Sequence, residues 1–301
     1  MVWRVVRVLL AAAGFAFLVV ALIDSSNKSH ALLHSPLRLV AAFVATSIGL
    51  VLWANAWAII VRAEPGRRVL RQGFYLSQLG KYVPGGIWQA AGMVSLARDA
   101  GVETGSASAA FGAFAVTQVV GAATVGGVLA IAAPDLPNVA RFMMIAGLAL
   151  VALLYRRWMV AALRQAARFV KRIDRATIPS QNGIVRAYAW CVGATICTTV
   201  SFVAIAHPPT TAAALAAGAA FATAWWIGFV AVPFPSGIGI REVVLIGLLH
   251  AIMSSGAVVT AAVGQRLASI GAELLLIGLT TGGRLQRRRS ETACNERRKN
   301  T

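Results

Sequence analysis

Long apolar runs alternate with short polar or basic stretches from one end of the chain to the other. A helix that crosses a bilayer needs about 20 predominantly apolar residues. On that rule the first half carries spans over Val5 to Ile23, Leu39 to Val61, Ser106 to Ile131 and Val139 to Leu154. The second half carries Ile184 to Ala206, Thr211 to Val232, Ile238 to Met253 and Ala257 to Thr281. The fourth and seventh are the shortest. The pattern predicts an all-α fold, a polytopic integral membrane protein of about eight transmembrane helices over residues 1–283, followed by a disordered basic tail over 284–301.

Two segments break this rhythm. Between Val69 and Ala97 the chain is too polar for a simple span, with Arg71, Gln72, Gln78, Lys81 and Gln89, yet it stays rich in apolar and aromatic residues. At its centre Pro84 lacks an N–H and disfavours helix at Val83, while Gly85 and Gly86 accept backbone angles that other residues resist. Two short helices meeting at a sharp tip are predicted over 69–97, a re-entrant hairpin with basic flanks on one side. The second break covers 233–242, where Pro235, Gly237 and Gly239 stand beside Arg241 and Glu242. Irregular backbone at membrane depth survives only against protein or a wet cavity, and broken helices in both halves of a membrane chain point to a transport site.

Composition agrees with the bilayer as the main solvent: 58% of the 301 residues are hydrophobic and 13% charged, with mean hydropathy +0.73. Lys and Arg outnumber Asp and Glu by 28 to 10. The excess falls between apolar runs, which is the signature of topology and excludes a nucleic-acid footprint. With the N-terminus inside, Arg4, Arg7, Arg62, Arg67, Arg68, Arg71, Arg98, the cluster from Arg156 to Arg186 and the tail from Arg284 share one side, leaving only Lys28, Arg38 and Arg141 on the other. The cell membrane is therefore the expected location, with both termini cytoplasmic. The basic segment Tyr155 to Arg175 reads either as an interfacial helix on anionic lipid or as a solvated loop that sets topology.

Five ionisable residues lie within or beside apolar segments: Lys81, Arg241, Glu242, Arg266 and Glu273. Each costs about 2.5–3.5 kcal/mol at mid-bilayer on insertion scales, so they are expected to face inward and to be paired or hydrated. Arg266 and Glu273 share a helix face but stand about 10 Å apart along the axis, too far for a direct pair. Three cations against two carboxylates leave one positive charge, which suits an anionic headgroup; a purely structural network such as Arg241 to Glu273 and Arg266 to Glu242 is the competing reading. Tyr82 and Gln89 complete the expected substrate-binding set, while Pro84, Gly85, Gly86, Pro235, Gly237 and Gly239 form the hinges. Asn55, Gln118, Trp53 and Trp57 read as helix-packing residues. Three cysteines and four histidines form no metal-ligand or nucleophile motif, so no metal, cofactor or catalytic residue is expected.

The stretches Gln78-Leu79-Gly80-Lys81-Tyr82-Val83-Pro84-Gly85-Gly86-Ile87-Trp88-Gln89 and Pro235-Ser236-Gly237-Ile238-Gly239-Ile240-Arg241-Glu242 resemble the lysylphosphatidylglycerol synthase transmembrane, or flippase-domain, family. The resemblance implies a multispan fold with re-entrant helices that moves lipids, including aminoacylated phosphatidylglycerol, between leaflets, with relatives in glycolipid and polyprenyl-lipid pathways. After Gly283 only the short basic tail follows, so the soluble aminoacyl-transferring domain is expected to be absent. The leading expectation is a lipid transporter or flippase for an anionic or polyprenyl-phosphate-linked substrate. The alternatives are a non-transporting scaffold for a lipid-modifying enzyme or glycosyltransferase, and a polyprenyl-phosphate-dependent transferase.

Overall fold

A computed structural model describes residues 36–61, 66–82, 87–142, 144–148, 181–231 and 239–299, with side chains through 280. Outside the described residues lie the expected first span from Val5 to Ile23 and the basic segment from Tyr155 to Arg175. So do the hinge residues Pro84, Gly85, Gly86, Pro235 and Gly237. Every regular element among the described residues is helical: α1 Pro36–Val61, α2 Arg67–Gln78, a 3-10 turn Leu79–Tyr82, α3 Trp88–Asp99, α4 Thr104–Ile131, α5 Gln181–Ala206, α6 Thr211–Val230, α7 Ile240–Leu249 and α8 Ser255–Lys299. A shorter apolar helix covers Asn138–Leu148. Five of these elements (α1, α4, α5, α6 and the Ser255–Thr280 part of α8) are long and apolar enough to cross a membrane. The protein is an all-α, multi-pass membrane protein.

Small residues set how closely the spans approach. A Cβ on Gly49 of α1 would stand 3.1 Å from the Ala194 carbonyl oxygen of α5, and Thr46 donates to Ser201 at 2.8 Å across the same contact. These pairings run in opposite directions along the two helices, so α1 and α5 are antiparallel. One core groups Leu50, Trp57, Leu70, Phe74, Met93, Phe114 and Ala194, tying α1, α2, α3, α4 and α5 together. A second joins Phe202, Phe221, Leu245, Leu249 and Val258 of α5, α6, α7 and α8. Large side chains such as Val44, Ile48, Val200, Leu267 and Leu274 stay exposed on the outer faces, where lipid would cover them.

Helices α2 and α3 form the hairpin expected from the first break. Gly73 faces Leu96, Ser77 faces Gly92, and Gly80 faces Gln89, a register in which one arm retraces the other. Both outer ends, at Arg67 and Asp99, therefore lie at one end of the bundle. Each arm has 12 residues, about 18 Å of helix and well short of the ~30 Å hydrocarbon core. Gly80 matters most for the tip: a Cβ there would come within 2.8 Å of the backbone at Trp88 and Gln89.

Two elements depart from the sequence expectation. The segment Ile238 to Met253 was expected to span, but α7 has only 10 residues, about half a crossing. It ends because His250 to Met253 turn toward α8. The tail expected to be disordered is helical as far as Lys299. Past Gly283 it holds no glycine or proline and several good helix formers, Leu285, Gln286, Glu291, Ala293 and Glu296 among them.

Candidate functional site

The two broken elements converge on the middle of the bundle. The tip of the α2–α3 hairpin brings Lys81 and Tyr82 against Glu273 of α8, where Lys81 pairs with Glu273 Oε1 and the Tyr82 hydroxyl donates to Oε2 at 3.2 Å. The start of α7 brings Glu242 against Arg266, one helical stretch earlier on α8. Arg266 Nε donates to Glu242 Oε1 at 3.0 Å; its Nη2 lies 2.9 Å from the same oxygen but out of line for a hydrogen bond. The 10 Å offset read between Arg266 and Glu273 is thus resolved by each residue meeting a different broken segment.

Gly239 shapes this second corner. Its φ of +88° is a conformation natural to glycine, and from it the Gly239 N–H donates to Glu242 Oε2 at 2.8 Å. The carboxylate so held caps the first turn of α7, where the helix dipole favours negative charge. Glu242 and Glu273 are each 1% exposed, so their ion pairs are removed from water and sensitive to loss of a partner.

Arg241 is different. Among the described residues no carboxylate forms an ion pair with it. Its Nη2 donates to the Gln265 side-chain oxygen at 3.1 Å, its guanidinium stacks 4.4 Å from the Phe221 ring centroid, and it is only 8% exposed. Gln265 in turn donates to Ser269 at 3.0 Å. The structural network weighed from the sequence is therefore half formed. Arg266 meets Glu242, whereas Glu273 takes Lys81, and Arg241 is left with neutral partners.

These side chains face a cavity of about 440 Å³ whose wall includes Lys81, Tyr82, Gln89, Arg241, Arg266 and Glu273. Glu242 stands behind Arg266, outside the lining. Leu50 and Gln118, also on the wall, fall close to the midpoints of α1 and α4, which places the cavity at mid-bundle. Trp225 lines one side, stacked on Trp53 at 5.2 Å and on Phe229 at 5.3 Å. Gln89 donates to Gln78 at 3.3 Å and so links the two arms of the hairpin at its tip.

Sequence reasoning passed over several wall residues. Gln118 and Trp53, packing residues by their sequence context, both line the cavity; Asn55 and Trp57 do pack, Asn55 onto the Val51 carbonyl at 2.9 Å and Trp57 edge-on to Phe114. Gln265 and Ser269 carried a usable signal, because with Glu273 they repeat every four residues along an apolar helix and mark one polar stripe. Trp225 carried none. Among the described residues no group of His, Cys, Asp or Glu is arranged to hold a metal ion.

The model of one protein family, described as the lysylphosphatidylglycerol synthase TM region, matches residues 4–277. No curated protein matches the chain.

Proposed function

The chain belongs to the lysylphosphatidylglycerol synthase transmembrane-region family, and from that premise we propose that it is a lipid transporter, moving an anionic or lipid-linked substrate between the leaflets of the cytoplasmic membrane. The observation that carries the proposal is Arg241, a buried cation without a carboxylate partner among the described residues, on the wall of a mid-bundle cavity. An unneutralised guanidinium at that depth is costly unless something anionic visits it. A phosphate is a good geometric match, because the planar fork of donors meets two oxygens at once.

The rest of the site gives the cation a way to work. The hairpin tip and the start of α7 are each held to α8 by one ion pair and meet the cavity from separate elements, so either is able to shift without unfolding a span. No covalent step is required of the protein, and it acts without a catalytic residue or cofactor. Both termini lie on the cytoplasmic side, with the basic ends of the hairpin facing the same compartment.

Reconstitution into vesicles with a labelled anionic phospholipid tests this reading. Arg241→Ala is expected to insert and fold as the parent does and to lose leaflet transfer. Transfer at the parental rate would remove Arg241 from the mechanism, and scaffolding of a lipid-modifying enzyme would then explain the family fold better.

A further inference from the structure

Hydrogen bonding at the cavity is lopsided. All four carboxylate oxygens of the site are engaged: Glu242 Oε1 by Arg266, Glu242 Oε2 by the Gly239 N–H, Glu273 Oε1 by Lys81 and Glu273 Oε2 by Tyr82. The donors are not. Trp53 Nε1, Gln78 Nε2 and Arg241 Nε are buried without a hydrogen-bond partner, as is Arg266 Nη2 apart from its out-of-line approach to Glu242, and all four side chains line the cavity. Among the described residues the only other buried side-chain polar atom in that condition is the Thr199 hydroxyl. Buried donors left unsatisfied are costly, and side chains carrying them around one space point to a ligand that brings acceptors.

We infer that the cavity takes the phosphodiester of a lipid whose headgroup carries no ammonium group, and that it rejects aminoacylated phospholipid. This rests on the reading of the cavity as the lipid site. A phosphodiester carries one negative charge and two unbridged oxygens, matching the single excess cation and the spare donors. An ammonium headgroup needs an unpaired carboxylate instead, and Glu273 and Glu242 each already hold a cation. A second cation would also stand beside Arg241 and Arg266, where repulsion in a low-dielectric cavity is strong.

Such a ligand differs from the lipid in the family's description, since lysylphosphatidylglycerol adds two amines to the phosphate. The chain keeps the fold and the converging broken helices, but its polar wall suits a phospholipid that has not been aminoacylated. Its neutral polar wall residues, Gln78, Gln89, Gln118 and Ser269, are suited to hydroxyl groups of a glycerol or sugar headgroup.

Native mass spectrometry of the full chain, with equimolar phosphatidylglycerol, lysylphosphatidylglycerol and phosphatidylcholine, tests it without requiring transport. The phosphatidylglycerol adduct is expected to exceed each of the others by about tenfold, the ratio given by one hydrogen-bonded charge. Arg241→Gln is expected to erase the preference, and Trp53→Phe, which keeps the stacked ring and removes its N–H, to reduce it severalfold. Equal or tighter binding of lysylphosphatidylglycerol would overturn the inference, as would an adduct indifferent to both substitutions. Displacement of the lipid by excess inorganic phosphate or glycerol phosphate would overturn it too, by placing the ligand in solution. Selective binding without leaflet transfer would refute transport and leave the selectivity standing.

Discussion

Lys81 and Arg241 illustrate two fates for a cation inside a membrane protein. Lys81 pairs with a buried carboxylate that also accepts from Tyr82, and its role is to hold the hairpin tip on α8. Lys81→Met therefore leaves Glu273 buried and unpaired, which is expected to cost about 3–5 kcal/mol and to lower the midpoint of thermal unfolding of the purified protein. The exchange Lys81→Glu with Glu273→Lys restores the pair, and recovery of much of that loss in the double variant checks the assignment. Among the described residues Arg241 forms no ion pair and is held by Gln265 and Phe221, so its removal is expected to affect ligand binding more than folding. The sequence made both residues visible as charges in apolar surroundings. It did not reveal which carboxylate each would meet, because the choice depends on how two broken segments dock on α8.

At the scale of elements, the hairpin depends on close backbone approach at its tip. Gly80→Ala puts a methyl group 2.8 Å from the backbone of Trp88 and Gln89, and no flexible side chain is there to move aside. Destabilisation of about 1–3 kcal/mol is expected, with weakened lipid binding as Lys81 is displaced. Gly247→Ala in α7 is the control: nothing lies within 4 Å of the added Cβ, and the gain in helix propensity is expected to leave stability unchanged or raise it by up to about 1 kcal/mol. Thermal unfolding of the two variants side by side separates packing from propensity. The hairpin was legible because proline and two glycines interrupt an otherwise helical stretch, and spans α1, α4, α5 and α6 because length and apolarity suffice. The shortness of α7 was not, since apolar residues continue through its terminating turn; nor was helix in the basic tail, where the absence of an apolar face hid a favourable local propensity.

For the whole molecule, the arrangement joins a rigid frame to two inserted half-elements. The antiparallel pair α1 and α5 supplies the frame, and α8 receives both insertions along one polar stripe. The proposed orientation puts the basic ends of the hairpin on the cytoplasmic side. In a background without native cysteines, Glu103→Cys is expected to react with a membrane-impermeant thiol reagent only from the cytoplasmic side, and Asp135→Cys only from outside; both positions are exposed and lie at opposite ends of α4. Reaction of both from one side would break the topology. The most direct test of the central claim is to find where a lipid headgroup rests. Phosphatidylglycerol carrying a photoactivatable group on its glycerol is incorporated into membranes holding the protein, illuminated, and its adducts are located by peptide mass spectrometry. Adducts on the cavity wall at Trp53, Gln118 and Trp225, competed by unlabelled phosphatidylglycerol and lost in Arg241→Gln, are the expected result. Labelling confined to the outward faces at Val243, Leu267 and Leu274 would contradict the account.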